Sequence, residues 1–285
     1  MSALDRWTGW LVGLLYPLPP LCLICRDQRV TWLSEPLCPE CLETLPRLPE
    51  PLCEHCGQPL PCREAEVPKL RAGGQLARLA ARIFGGPVQC DRCGQDPPPF
   101  RRARAVALYS GWVRAAVHRL KYHGEAELAL PLGTLMGLLA REELLFLTVS
   151  VVIPVPLHPE RLAARGYNQS ELLARPVAQA IGRPLVPHAL ERRRPTLPQV
   201  GLDEAGRRRN LENAFHVADP KSVKGRRILV VDDVLTTGAT CREVARALLE
   251  AGARCVDVLT LAVTPRSAGA GAWLGKFRGE TPSGT

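Results

Sequence analysis

Two neighbouring acids followed by a hydroxyl-rich loop form the most chemically loaded stretch of this sequence. Asp232 and Asp233 precede Val234, Leu235, Thr236, Thr237, Gly238, Ala239 and Thr240. Threonine hydroxyls, one unhindered glycine and a run of backbone N–H groups at the start of a helix suit a phosphate. Carboxylates beside such a cradle would repel the anion unless they faced sugar hydroxyls or a divalent cation. The combination predicts a sugar phosphate as ligand, accompanied by Mg2+.

Cysteines supply the second chemistry. Nine of the eleven lie before residue 94, and eight fall into four Cys-x-x-Cys pairs: Cys22 with Cys25, Cys38 with Cys41, Cys53 with Cys56, and Cys90 with Cys93. A two-residue spacer lets both thiolates of one turn reach a tetrahedral ion, and two such turns close a four-sulfur site. Two structural zinc ions are predicted. Spacing allows either a sequential pairing, first with second and third with fourth, or an interleaved one. Closed sites leave no open coordination position, so their role is folding and presentation rather than catalysis. The competing reading is four independent redox dithiols. Cys62 is read as a bystander.

The elements that must position these groups follow from the hydrophobic pattern. Residues 228–231 are a short apolar run ending in the two acids, as expected of a central parallel strand whose carboxyl end opens into a crevice. Val244, Ala245, Leu248 and Leu249 mark the apolar stripe of the following helix. A strand is predicted over 104–109 and a helix over 112–122. A further helix carries Leu128, Leu132, Leu135 and Leu139, and a second buried strand covers 150–156. Lys121, near the end of the first of these helices, is a candidate anion contact or a solvent lysine. A helix beginning at Asn168 or Gln169 should be kinked or interrupted by Pro176, at about 3 kcal/mol for an interior position. A strand over 255–263 closes the domain. Strands alternating with helices imply an α/β fold with a Rossmann-like parallel sheet.

Three prolines in Asp96-Pro97-Pro98-Pro99-Phe100 mark a domain boundary. The expected organisation is an N-terminal helix and cysteine-rich module over 1–99, interrupted by an insertion near 63–88 with its own helical stripe. An α/β domain follows over 100–264, then a disordered tail over 265–285. Residues 191–210 are polar without a sustained apolar period and read as a lid whose arginines close over a polyanion. The apolar stretch 10–24 is broken by Pro17, Pro19 and Pro20 and falls short of a membrane span, which points to a cytoplasmic protein.

With 285 residues and 46% apolar content the chain can hold two domains. Its formal net charge of +9 favours anionic partners, whether nucleic acid, phosphorylated metabolites or an acidic surface.

The stretch 230–240 resembles the phosphoribosyl pyrophosphate (PRPP) signature of type I phosphoribosyltransferases. In that resemblance the segment 157–169 is the place of the pyrophosphate loop, where Arg161 and Arg165 offer forked donors and Gly166 allows close backbone approach. The whole order is similar to the ComF family, whose members join a double zinc ribbon to such a domain. The residues that carry the likeness are the knuckles, Val155-Pro156-Leu157, Arg165-Gly166-Tyr167-Asn168-Gln169, Arg194-x-Thr196-x-x-Gln199, Arg207-x-x-Asn210 and the final signature. The resemblance implies PRPP or another phosphorylated sugar or nucleotide as ligand and transfer of phosphoribosyl to a nitrogen base. It also implies a link to natural transformation, with single-stranded DNA and a competence helicase or DNA-processing protein as partners. The competing class is a non-catalytic single-stranded-DNA-binding factor that keeps the fold as a phosphate-reading scaffold.

Overall fold

The computed structural model describes residues 21–28, 30, 37–60, 88–193 and 214–265. The N-terminal stretch before Leu21, the insertion with Cys62, most of the expected lid and the tail lie outside these residues. The chain separates into two compact units, residues 1–45 and 46–285. The first contains α1 (Pro39–Glu43), which starts just after Cys38 and carries Cys41.

The second unit opens with the other two cysteine pairs; Cys90 caps α2 (Asp91–Gln95) and Cys93 lies within it. The segment 96–100 then leads into β1 (Arg102–Leu108) and α3 (Gly111–Tyr122). A short 3-10 turn precedes α4 (Ala129–Glu142), α5 (Leu144–Leu147) and β2 (Val151–Pro154). Next come α6 (Pro159–Arg165), α7 (Gln169–Ile181) and the small antiparallel pair β3 (Leu190–Arg192) and β4 (Phe215–Val217). The chain finishes with β5 (Arg227–Leu235), α8 (Ala239–Glu250) and β6 (Cys255–Val263).

Four strands form one parallel sheet in the order β1-β6-β5-β2. Central β5 is apolar because both its faces are covered: Ile228, Leu229, Val230 and Val231 are fully buried. Each such side chain contributes about 1.5–3 kcal/mol on removal from water. All four strands point the same way, so the loops after β2 and β5, which are neighbours, emerge at one edge. The outer edge of β2 is closed by Val152, which donates to Pro184 O and accepts from the Val186 N–H, each at 2.9 Å.

Three expectations are corrected. The strand does not end before the acids: β5 runs to Leu235 and includes Asp232 and Asp233, since both carboxylates are buried against helical partners instead of turning out into a loop. The segment expected as a pyrophosphate loop contains the helix α6, which holds Arg161 and Arg165 and ends at Gly166 in a left-handed conformation. Of the kink or interruption expected at Pro176, the interruption is overturned: α7 continues to Ile181. A Cβ on Gly133 of α4 would come within 2.7 Å of Leu173 O and 2.9 Å of Pro176 Cγ, so bare glycine lets α4 press directly on the proline turn.

Candidate functional site

The site begins with the two acids near the carboxyl end of β5. Asp232 Oδ1 accepts from Ser170 Oγ at 2.9 Å and from the Asp233 N–H at 2.9 Å. Asp233 receives Lys121 Nζ at 2.8 Å on one oxygen and Gln169 Nε2 at 2.9 Å on the other. The residues are only 8% and 4% exposed. Burial, then the adjacent Asp233 charge, pushes the Asp232 carboxyl up to about 7. Burial also opposes the Lys121 charge, but the Asp233 carboxylate outweighs it and holds the ammonium above its ordinary range.

Every residue of the 165–170 run has a specific partner. Arg165 donates through Nη1 to Gln169 Oε1 and lies over the Tyr122 ring at 5.7 Å. The Tyr167 hydroxyl donates to Leu120 O at 2.5 Å, which ties the run to the end of α3. Asn168 caps α7 by accepting from the Ser170 N–H at 3.1 Å and donates to Val155 O at 3.0 Å, just past β2. Asparagine is well suited here because its oxygen satisfies one of the orphan donors of the first helical turn. Gln169 and Ser170, the first two residues of that turn, are thereby aimed at the two acids.

Beyond the acids, Thr236, Thr237 and Gly238 form the turn into α8, with Gly238 at φ 76°. The Ala239 N–H reaches Thr237 Oγ1 at 3.4 Å, and the Arg242 N–H reaches Gly238 O at 2.8 Å. Val234 and Leu235 belong to the strand, whereas Ala239 and Thr240 begin the helix. The loop is thus compact, and its start sits one residue past the sheet. Arg161 is exposed on α6.

Lys121, Asp232, Asp233 and the Arg165 to Gln169 segment therefore come together. The lid positions Arg194, Thr196, Gln199, Arg207 and Asn210 fall outside the described residues. Sequence reasoning missed one group, Ser170, and misplaced another, Arg192, which the expected lid over 191–210 included and the structure sets in β3. Ser170 follows the quoted motif by one position, and its signal was the helix start expected at Asn168 or Gln169. Arg192, on β3, is buried with its guanidinium over the Phe215 ring at 5.6 Å. Burial and the neighbouring Arg161 charge lower its pKa, while Asp232 opposes them.

The cysteines gather sequentially: Cys22, Cys25, Cys38 and Cys41 form one cluster, and Cys53, Cys56, Cys90 and Cys93 the other. None of the eight forms a disulfide. Four sulfurs at about 2.3 Å from a tetrahedral ion stand about 3.8 Å apart. Cys22–Cys41 at 3.9 Å, Cys25–Cys38 at 3.7 Å and Cys56–Cys90 at 3.7 Å match that spacing. The hydrogen bond from Cys56 brings the Cys53 thiol down to about 4, against its burial. The donor sets fit structural zinc.

The second cluster is built into the sheet unit. Ala103 of β1 donates to His55 O at 2.6 Å, and Arg104 Nη1 donates to Glu54 O at 3.1 Å. Gly57, at φ 66°, sits so close that a Cβ would meet Ala103 O at 2.6 Å.

The parallel sheet, its acid-bearing central strand and the threonine turn define a phosphoribosyltransferase-type domain, here preceded by a cysteine-rich zinc-ribbon region. Residues 168–274 match the phosphoribosyl transferase domain family and residues 11–70 the double zinc ribbon domain family. The chain is 39% identical over 180 residues to the DNA utilization protein YhgH of Escherichia coli, covering 62% of this chain and 78% of that protein. It is 30% identical over 177 residues to Competence protein F of Haemophilus influenzae, covering 61% and 77%. With Competence protein ComFC of Bacillus subtilis the match is 27% identical over 265 residues, covering 85% of this chain and 94% of the relative. The chain belongs to the ComF family. Among the described residues no helix is long and apolar enough to cross a membrane.

Proposed function

We propose that this domain binds PRPP with Mg2+ and transfers its phosphoribosyl group to a nitrogen nucleophile, in a role connected with the use of incoming DNA or with nucleotide metabolism. The observation that carries this reading is the pair of buried acids on β5, held by Lys121, Gln169 and Ser170, one short step from the threonine turn. Buried acids are expensive unless they serve a cation or a hydroxyl-rich ligand.

In this reading the turn at 236–240 holds the 5′-phosphate, and Asp232 and Asp233 hold the ribose hydroxyls or the metal. Bound Mg2+ would supply charge neutralisation of the departing diphosphate. Arg161 and Arg165 assist from the α6 side by donating to its oxygens. The bond from the anomeric carbon to the diphosphate oxygen breaks, a carbon–nitrogen bond forms, and the nitrogen's proton leaves to solvent. No side-chain nucleophile is needed; positioning and preorganised charge lower the barrier. Residues 194, 196, 199, 207 and 210 would close over the ligand and keep water from hydrolysing the donor.

The test is calorimetric titration of PRPP with Mg2+ into the full chain and into an Asp232→Ala, Asp233→Ala variant, followed by assay of pyrophosphate release with a panel of bases. Heat with the native chain alone supports the site. No heat with either protein sinks the PRPP reading, and binding without release on any base reduces the enzyme to a binder.

A second reading is favoured by the net charge of +9 and by relatives named for DNA utilization and competence. Here the same phosphate-reading surface serves single-stranded DNA. Affinity should then fall steeply with salt, and binding indifferent to salt counts against it.

A further inference from the structure

The second cysteine cluster touches the phosphate turn itself. Arg92 lies on α2, between the thiols Cys90 and Cys93, and its Nη1 donates to Thr237 O at 3.2 Å. From the other side, Arg242 in the first turn of α8 returns to the segment just after the knuckle. Its Nη2 donates to Asp96 O at 2.5 Å, and its Nη1 reaches Asp96 Oδ2 at 3.3 Å. Two guanidinium groups running in opposite directions thus join the metal-binding turn to the turn expected to hold the ligand.

From this geometry we infer that Arg92 is a positioning residue for the phosphate turn and that the ion at Cys53, Cys56, Cys90 and Cys93 acts on the ligand site through it. The inference rests on the proposal that the 236–240 turn receives a phosphate. The physical chain is short. Cys90 and Cys93 would hold the ion and so fix the helical turn that Cys90 caps and Cys93 belongs to, and Arg92 has its backbone in that turn. The Arg92 guanidinium then occupies Thr237 O, so that carbonyl is committed to the protein and the backbone N–H groups of the turn stay aimed away from it, toward the ligand. Arg242 keeps α8 and the knuckle in register while this happens. Without the ion, Arg92 loses its anchored backbone, and the turn gains freedom that binding must later remove. A closed four-sulfur site has no substrate position of its own, so this mechanical route is how it can influence the chemistry.

The test uses the full chain with both ions bound. Arg92→Ala, Arg92→Lys and Cys93→Ser are compared with the native protein, and Cys38→Ser provides the reference for damage to the first cluster. Zinc content, amide hydrogen exchange of peptides spanning 236–241, and PRPP–Mg2+ calorimetry are read on each. Loss of one charged hydrogen bond corresponds to about tenfold. Arg92→Ala should therefore retain both ions, speed exchange in 236–241 by about tenfold and weaken PRPP by a similar factor. Arg92→Lys should restore part of both, and Cys93→Ser should match or exceed the alanine effect. Unchanged exchange in Arg92→Ala with zinc retained overturns the positioning role, whatever PRPP does. Faster exchange in a protein whose native form gives no heat with PRPP upholds the link between knuckle and turn while rejecting PRPP as the ligand. If Cys38→Ser loosens 236–241 as much as Cys93→Ser does, the effect is general destabilisation and the inference fails.

Discussion

Lys121 Nζ stands 2.8 Å from Asp233 Oδ1, across 112 positions of sequence. A helix that follows the first strand thereby supplies the counter-charge for a carboxylate on the third strand of the large sheet. Replacing Lys121 by methionine leaves a buried carboxylate beside a second acid. The expected cost is about 2–3 kcal/mol, toward the lower end for a buried pair because the lysine is partly exposed. Denaturant unfolding of Lys121→Met checks this, and adding Asp233→Asn should recover most of the loss. A double variant no more stable than Lys121→Met would refute the pairing as the cause.

The raised carboxyl of Asp232 makes stability depend on pH, and with it the proposed binding of Mg2+. Its folded value is about 7, against an ordinary value of about 3.9. Between these, the folded chain holds a proton that the unfolded chain has released, so this group's contribution to stability falls as pH rises through the window. Below about pH 4 both states are protonated and the penalty vanishes. In the proposed site Mg2+ with PRPP would bind only once the proton has left, so affinity should climb by up to about tenfold per pH unit below 7 and level off above. Titrations in two buffers of different ionisation heat should show one proton released near pH 6. Affinity that is flat from about pH 5 to 7 would contradict the assignment. Asp232→Asn should be more stable than the native chain at neutral pH and bind no Mg2+, a trade of function for stability.

Gln169 accepts from Arg165 and donates to Asp233, so it joins the diphosphate side of the proposed site to the ribose side. Gln169→Leu keeps the helix start and removes both bonds. PRPP affinity should drop by about tenfold or more, with Arg165 no longer held toward the acids. Gln169→Glu keeps the contact to Arg165 but sets a third carboxylate against Asp233, and it should bind more weakly than Gln169→Leu at neutral pH. The reverse order in calorimetry would mean that the arginine contact matters more than the acid contact.

Gly133 admits the carbonyl of Leu173 and the ring of Pro176. Gly133→Val should destabilise the fold by about 1–3 kcal/mol through overpacking. Thermal unfolding is the measurement, and Thr134→Val, next to it on α4 but hydrogen-bonded to its own helix at Leu130 O, is the comparison expected to change little.

The sheet was legible wherever an element carried its own pattern. The apolar run of β5, the β6 strand at Cys255–Val263 and the stripes of α4 and α8 needed no distant partner to be read. What escaped was set by neighbours far away in sequence. Lys121 looked equally like a solvent lysine because its carboxylate lies more than a hundred residues on. The acids looked like the end of a strand because the groups that bury them, Gln169 and Ser170, come from another helix. The cysteine spacing is the same in every pair, so only the three-dimensional gathering separates sequential from interleaved partners. The packing against α7 at Pro176 involves a glycine more than forty residues earlier in another helix, which no local helix rule takes into account.

The backbone bonds from His55 O to the Ala103 N–H and from Pro46 O to the Leu108 N–H have a separate consequence. β1 is the outermost strand on its side of the parallel sheet, and bare outer strands recruit other chains. By lying along β1 the cysteine knuckle and the segment before it act as a guard rail. Metal starvation would then reveal itself first as self-association of otherwise folded molecules, before any loss of secondary structure.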